Sequence, residues 1–255
     1  MNKQVFFLLG CLLCGLHALS QENYEIQVYA SKTVSPKTTM VELHSNFTFG
    51  GSTFPGNGVQ PTHHLTHETV EITHGFNNNF EIGCYFFNAI GSQGRTAYVG
   101  SHIRPRVRVP EKWHWPVGVS LSLEGGYQKR EFNEDDWTLE IRPIIDKFLG
   151  RFYVSLNPTF EKSFHGLNRN EGYIFSPNIK ASYNATKVVA LGFEYYGAVG
   201  GIFKFVPIDE QQHQVFVAVD LNVSPDWEIN FGYGLGFTKA TDNQIAKLIL
   251  GYRFR

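Results

Sequence analysis

The sequence predicts an all-β fold, a transmembrane antiparallel up-and-down β-barrel of about twelve strands. Three observations support this prediction. Apolar and polar residues alternate with a period of two along most of the chain. The alternating segments are about ten residues long, which is the length that a tilted strand needs to cross a membrane. The connections between them alternate between long and short, as in outer-membrane barrels.

Residues 1–20 have the features of a secretory signal peptide. Lys3 supplies the charged start, residues 5–16 form an apolar run, and residues 18–20 (Ala-Leu-Ser) match a small-residue cleavage site. We therefore expect the mature chain to begin at Gln21. Lipidation at Cys11 is the less favoured alternative, because the apolar run before this cysteine is short.

Composition excludes several classes of function. The formal net charge is −1, and removal of the signal peptide leaves 21 basic and 23 acidic residues, so the chain has no basic footprint for nucleic acid. Cys84 is then the single cysteine, which rules out an internal disulfide. Aromatic residues make up 15% of a chain whose mean hydropathy is only −0.20, a combination typical of alternating strands. No cofactor is expected.

The alternation is clearest in "VGVSLSLEGGY", where Leu121 and Leu123 lie on one face and Ser120 and Ser122 on the other. Eleven further segments repeat this pattern less regularly. The twelve predicted strands are 40–49, 68–76, 80–87, 99–109, 117–127, 137–143, 152–161, 173–183, 188–197, 213–223, 227–237 and 245–254.

The connections predict which ends of the strands face the periplasm. Long loops follow strands one, seven and nine, whereas "NNN", "NAT" and "SPD" are tight turns, with "PEKWHWP" as the exception. Short turns lie on the periplasmic side, and an even strand count puts both ends of the barrel there. We expect residues 40–255 to form the barrel. We expect residues 21–39 to be a loose periplasmic segment, with entry into the lumen as the open alternative.

A soluble β-sandwich or lipocalin-like barrel is the main alternative fold. The polar faces argue against it, because they are rich in Ser, Thr, Asn and Gly and carry isolated charges at mid-strand. Bulky aromatic residues near the strand ends also suit the interfacial girdles of a membrane barrel. They are Trp113, Trp115, Trp137, Tyr173, Tyr195 and Trp227. The sequence thus predicts the bacterial outer membrane as the location and its lipid as a partner.

In such a barrel the polar faces point into the lumen. The assigned acids are Glu42, Glu71, Glu81, Glu124, Glu140, Glu161, Glu194, Asp220 and Glu228, and the bases are Arg104, Arg106, Arg108, Arg142, Lys180, Lys247 and Arg253. A mixed set of this kind predicts cross-strand ion pairs. For the arginines of "HIRPRVRV", the nearby Glu124 and Glu140 are the expected partners.

We single out ten of these side chains as a lumen polar network and as candidate solute contacts. They are Arg104, Arg106, Arg108, Glu124, Glu140, Arg142, Glu194, Asp220, Glu228 and Lys247. Two interpretations stay open. The ion pairs brace a narrow barrel, or the arginines form a stripe that contacts an anionic or polar solute.

Metal and catalytic sites are not expected. His63 and His67 could meet on one helical turn, but no acid or cysteine is placed to complete a zinc site. Some twelve-stranded outer-membrane barrels are lipid hydrolases, which need a serine beside a histidine base. The pair Ser122 and His102 is conceivable but unspecific, so we do not expect an enzyme.

Two stretches, "HIRPRVRVPEKWHWPVGVSLSLEGGY" and "EQQHQVFVAVDLNVSPDWEINFGYGLG", resemble a group of uncharacterised bacterial outer-membrane barrel proteins. Some of these are labelled as transporters related to the meta-pathway of phenol degradation. The resemblance implies a barrel in the outer membrane and uptake of small, in part aromatic, compounds. The expected function is a passive channel or uptake porin for small solutes. The alternatives are a non-conducting structural or surface-binding barrel and an outer-membrane lipid hydrolase.

Overall fold

A computed structural model describes residues 23–255, and the predicted signal peptide lies outside the described residues. These residues form one closed antiparallel barrel. Its strands are β1 (Thr39–Gly50), β2 (Thr66–Asn77), β3 (Phe80–Ile90), β4 (Thr96–Arg108), β5 (Gly118–Gln128), β6 (Asp135–Leu149), β7 (Phe152–Gly166), β8 (Ile174–Asn184), β9 (Val189–Ala198), β12 (Gln212–Leu221), β13 (Trp227–Gly236) and β14 (Gln244–Phe254).

Each strand pairs with its neighbours in the chain, and two pairings complete the ring. β9 pairs with β12, and β14 pairs with β1, so no strand edge is left open. Two short strands, β10 (Gly200–Gly201) and β11 (Lys204–Phe205), form a hairpin within the connection from β9 to β12. The predicted fold class and its twelve strands are confirmed.

The connections at the two ends of the barrel differ in length. At one end, which we call the loop end, they comprise residues 51–65, 91–95, 129–134, 167–173, 199–211 and 237–243. At the other, the turn end, they comprise residues 78–79, 109–117, 150–151, 185–188 and 222–226. The 109–117 connection contains a single turn of 3₁₀ helix, Glu111–Trp113. Among the described residues, no helix is long or apolar enough to span a membrane.

The outer surface is apolar around the whole barrel. Outward side chains such as Leu43, Ile103, Val107, Leu121 and Val217 are at least two-fifths exposed. A soluble protein rarely exposes so large a continuous apolar surface. A closed barrel with a lipid-facing apolar band and a polar interior is the structure that spans a bacterial outer membrane, which is the location of this protein.

The interior is filled by the chain's own N-terminal residues. Residues 23–38, which we call the lumen segment, run in extended form through the barrel before β1 begins. Tyr24, Ile26, Val28 and Tyr29 are all buried. The expectation of a loose periplasmic segment is corrected, and the alternative of entry into the lumen describes its position.

Inward aromatic side chains explain why this segment is retained. Tyr24 packs in one cluster with Tyr85 and Phe87. Ile26 and Val28 pack in a second cluster that also contains Tyr196, Phe216 and Ile245. The alternating apolar residues of the segment thus find apolar partners inside an otherwise polar lumen, and burial of each such side chain contributes about 1.5–3 kcal/mol.

The segment runs from the loop end to the turn end. Near its start, Asn23 Nδ2 donates to Asp242 in the 237–243 connection, at 2.6 Å. Near its end, the amide of Lys37 donates to the carbonyl of Gly75 on β2, at 2.7 Å. Lys37 has a φ of 61°, and the turn there reverses the chain into β1.

Candidate functional site: the barrel lumen

Arg104 on β4 lies at the centre of the largest ion-pair group in the lumen. Its guanidinium contacts Glu71 on β2 at 2.5 Å and Glu81 on β3 at 3.5 Å, and all three side chains are almost fully buried. Gly83 stands opposite Arg104 in the β3–β4 register. A Cβ atom at Gly83 would lie only 3.3 Å from the guanidinium and 2.8 Å from Thr73. The glycine therefore lets Arg104 reach across β3 to Glu71.

Arg106 connects this group to the lumen segment. Its guanidinium contacts Glu81 at 2.6 Å, which follows from their direct pairing in the β3–β4 register. The same side chain donates to the carbonyls of Ala30 at 3.1 Å and Lys32 at 3.2 Å. Because the segment is not part of the sheet, its carbonyls need such side-chain donors when buried. The β2–β4 face therefore clamps the segment.

The expected partners of the arginines were wrong. Arg104 and Arg106 pair with Glu71 and Glu81 on the preceding strands, not with Glu124 or Glu140. Pro105 gives a physical reason why these arginines do not pair with acids on the β5 side, because the β4–β5 ladder is interrupted beside it. A proline removes a backbone donor and weakens local pairing. Arg108 pairs with Glu111 at the turn end, at 2.9 Å.

Tyr29 on the lumen segment lies among three guanidinium groups. Its ring centroid is 4.6 Å from the Cζ atom of Arg104, 5.5 Å from that of Arg106 and 4.9 Å from that of Arg142. Its hydroxyl forms a hydrogen bond with the Tyr85 hydroxyl at 2.9 Å. Cation–π contacts strengthen when they are desolvated, so Tyr29 is a main anchor of the segment.

Arg142 and Glu124 belong to the β4–β6 part of the lumen. Arg142 contacts Glu140 at 2.6 Å and Glu25 of the lumen segment at 3.1 Å. Glu124 Oε1 forms a hydrogen bond with His102, whose Nδ1 atom lies 2.9 Å away.

The suggested Ser122–His102 catalytic pair is not formed. Ser122 stands opposite Arg106 and His102 stands opposite Gly126 in the β4–β5 register. Four residues along a strand correspond to about 13 Å, far beyond hydrogen-bond reach.

A second ion-pair group lies on β8, β9, β12 and β14. Lys180 contacts Glu194 at 3.1 Å and Asp220 at 2.7 Å. Lys247 forms an ion pair with Glu194 and donates to the carbonyl of Ile26 at 3.1 Å. This second group therefore also holds the lumen segment.

Glu228 on β13 pairs with Arg253 on β14, at 2.5 Å. With this pair, nine of the ten residues of the predicted network have a charged partner, and the tenth, Glu124, contacts His102. Their contact with a solute stays a prediction.

Three cavities adjoin the segment or the loops. The first, of about 100 Å³, lies between the lumen segment and the wall formed by β6–β9. A second, of about 800 Å³, lies at the loop end beside residues 236–243, and a third, of about 400 Å³, lies at the turn end beside residues 32–36.

The first cavity is acidic. Arg142 is the basic side chain in its lining, which also contains the carboxylates Glu25, Glu134, Asp135, Glu140 and Glu161.

At the loop end, burial raises the pKa of Asp242, while hydrogen bonds from Thr62 and Asn23 partly oppose that shift. Thr62 Oγ1 donates to this carboxylate at 2.7 Å. Asp242 therefore ties the start of the lumen segment to two separate loops.

Sequence reasoning missed the residues that the lumen segment contributes, chiefly Glu25 and Tyr29. A usable signal was present, because Tyr24, Ile26 and Val28 alternate with polar residues as in a strand. The segment "FEIGCYFF" carries apolar residues on both faces, and its alternation places Tyr85 and Phe87 on the inward face with Glu81, where the structure buries them.

Comparison with known proteins gives fold-level likeness. No family model matches the chain, and no curated protein matches it. Among solved structures, the KdgM porin matches with a TM-score of 0.55 and 11% identity over 85% of this chain and 99% of that chain. The COG4313 outer membrane channel from Pseudomonas putida F1 matches with a TM-score of 0.57 and 12% identity, over 90% of this chain and 100% of that chain. The likeness shows that this chain shares the barrel fold of these proteins.

Proposed function

We propose that the protein is an outer-membrane channel for small polar solutes, and that its own lumen segment closes the channel. The observation that carries the proposal is the position of residues 23–38 along the lumen. Eight strands make a barrel whose own side chains fill the interior, and sixteen or more leave an aqueous channel. Twelve strands enclose more space than inward side chains fill. In this barrel the lumen segment occupies the remaining space.

The segment is held in a way that permits release. Its backbone is bound by side chains of the barrel, such as Ser155, whose hydroxyl donates to the carbonyl of Tyr29 at 2.6 Å, and not by a strand ladder. Elements without ladder pairing open at lower free energy than the sheet that surrounds them. Withdrawal of residues 23–34 about the turn at Lys37 would connect the loop end with the turn end.

The lining of the first cavity supports cationic or neutral polar solutes over anions. Its acids outnumber its single base, and a ring of carboxylates favours cations in a pore. The arginines that could attract an anion, Arg104 and Arg106, are already compensated by Glu71 and Glu81. One solved structure of the KdgM porin is a complex with oligogalacturonate, and uptake of an acidic saccharide by this chain is the less favoured variant of the proposal.

Uptake of aromatic compounds, as implied by the resemblance to phenol meta-pathway barrels, is a finer hypothesis. The polar lining of the first cavity gives it no support, although apolar clusters lie beside the segment. Competition of phenol and of a cationic amine for flux through the open channel separates the two solute classes.

The test is planar-bilayer conductance of the refolded mature chain and of a variant lacking residues 23–34. We expect a closed or briefly opening full chain, and a stable cation-selective conductance at least about tenfold larger in the deletion. A variant in which residues 23–34 are replaced by a Gly-Ser linker of the same length is the matched control, because it keeps the chain but removes its anchors. Absence of conductance in all three folded proteins would reject the channel.

A non-conducting structural barrel is the second candidate. The density of compensated charge favours it, because Arg104, Arg142, Lys180 and Lys247 each contact one or more buried carboxylates. It predicts that the deletion variant stays closed to ions while its unfolding free energy falls.

A further inference from the structure

One group of lumen side chains is explained only in part by the ion pairs and does not bind the lumen segment. Glu42 and His44 on β1 and Glu71 on β2 form a triad in which the potential ligand atoms all lie within 4.8 Å of one another. Their relative exposures are 4%, 0% and 0%. We propose that this triad is a binding site for a divalent transition-metal ion of the Zn²⁺ class.

The first argument is that the triad has unused donor atoms. Among the described residues, no hydrogen-bond partner exists for the buried Oε1 of Glu42, the Oε2 of Glu71 or either ring nitrogen of His44. His44 Nε2 lies 3.5 Å from Glu71 Oε2 without a hydrogen bond. Buried polar atoms without partners cost about 1–3 kcal/mol each, and a shared cation would satisfy one oxygen of each carboxylate and one ring nitrogen of His44.

The second argument is charge. Glu42 and Glu71 stand directly opposite each other in the β1–β2 register, an arrangement in which like charges repel. Arg104 neutralises Glu71 through the Oε1 atom. Within the described part of the chain, Glu42 takes part in none of the ion pairs. Glu228 on β13 is the next acid beside Glu42, and Arg253 already compensates it. The Glu42 carboxyl group is thus left without a basic partner among the described residues.

The third argument is that the backbone makes room for Glu42 to face inward. Gly251 on β14 lies opposite Glu42 in the register. A Cβ atom at Gly251 would approach Glu42 Cγ to 2.8 Å and Glu228 Cβ to 3.3 Å. The glycine therefore leaves room beside β14 for the inward side chain of Glu42.

The chemistry of the donors selects the class of metal. One imidazole and two carboxylates suit Zn²⁺ and neighbouring first-row ions, and three protein ligands leave a fourth position for water. Metal bonds of about 2.0–2.2 Å place tetrahedral ligands about 3.4 Å apart, so the most distant pair contracts on binding. Glu71 would use Oε2 for the metal and keep Oε1 on Arg104.

This site does not depend on the proposed channel function. The triad lies on β1 and β2, and none of its residues lines the cavity beside β6–β9. A metal there would reinforce the contact of β1 with β2. No metal site was expected from the sequence. The cross-strand register that brings Glu42 opposite Glu71 is not visible there.

The mature chain is refolded in detergent with and without Co²⁺, because the visible absorption of Co²⁺ reports its coordination. Metal-free protein is then titrated with Zn²⁺ by calorimetry. We expect one equivalent of bound metal, and at least tenfold weaker binding in Glu42→Gln and in His44→Gln. His67→Gln is the matched control, since His67 is a buried inward histidine of β2, and it should bind as the parent does.

Refolding is checked by the β-sheet circular dichroism of each variant. Two results would overturn the site. The folded parent could take up no stoichiometric Co²⁺ or Zn²⁺, in which case Glu42 is a buried neutral acid. Alternatively, Glu42→Gln and His44→Gln could bind with the affinity of the parent, in which case the metal lies elsewhere.

Discussion

The two walls of the lumen treat the same N-terminal segment differently. On the clamp wall, β2–β4, Arg104 and Arg106 are compensated by buried acids, and Arg106 also binds two carbonyls of the segment. On the cavity wall, β6–β9, an acid-rich cavity lies beside Glu25 of the segment, although Ser155 on β7 still binds the carbonyl of Tyr29. Charge in this barrel lumen therefore has two roles. Paired charges hold the lumen segment in place, whereas the acid-rich cavity wall marks the side on which a path for solutes would open.

The largest expected effect is a difference in unfolding free energy between a variant of the clamp wall and a variant of the cavity wall. Arg104→Met leaves Glu71 buried without its counter-ion, so we expect the free energy of unfolding to fall by about 3–5 kcal/mol. Arg142→Met is the matched change on the cavity wall, where water can reach Glu25 and Glu140, and its expected cost is about 1–3 kcal/mol. Denaturant unfolding of both variants in detergent measures this. Equal losses would remove the distinction between the walls.

A smaller effect concerns Tyr29, the residue of the lumen segment that contacts both walls. Tyr29→Leu keeps an apolar side chain but removes the contacts with three guanidinium groups and the hydrogen bond to Tyr85. We expect a loss of about 2 kcal/mol and faster amide hydrogen exchange in residues 24–32, with the exchange of the β-strands unchanged. Exchange that rises equally in the strands would show that the segment and barrel open together.

The smallest effect tests the cavity wall alone. Glu161 lines the cavity, and no ion pair of the described residues includes it. In the variant lacking residues 23–34, Glu161→Gln should lower the ratio of cation to anion permeability on the order of twofold, because one lining charge is lost. Reversal potentials in a salt gradient measure the ratio. Arg108→Gln, at the turn end, is the control and should change it in the opposite sense.

The sequence was informative wherever one period-2 pattern decided the structure. The predicted strand at 117–127 corresponds to β5 (Gly118–Gln128), and the predicted strand at 245–254 corresponds to β14 (Gln244–Phe254). Apolar and polar residues alternate cleanly there because one face meets lipid and the other meets a polar lumen. The membrane barrel and its inward charges followed from that rule, and the difference between its two ends followed from the lengths of the connections.

The rule was incomplete where the lumen is not polar. Tyr85 and Phe87 share the inward face with Glu81, but their apolar partner is Tyr24 of the lumen segment, a tertiary contact that local periodicity does not contain. The partners of Arg104 could not be predicted either. They depend on the β3–β4 register and on the absence of a side chain at Gly83.

Thiol labelling tests most directly whether the lumen segment occupies the barrel. In a Cys84→Ser background, Val28→Cys places a thiol in the cluster with Phe216 and Tyr196, where Val28 is 6% exposed. Phe54→Cys places one in the 51–65 connection, where Phe54 is 79% exposed. We expect a bulky water-soluble maleimide to modify the folded Val28→Cys protein at least about tenfold more slowly than the folded Phe54→Cys protein. Equal rates would contradict the account, because they would put residue 28 in solvent.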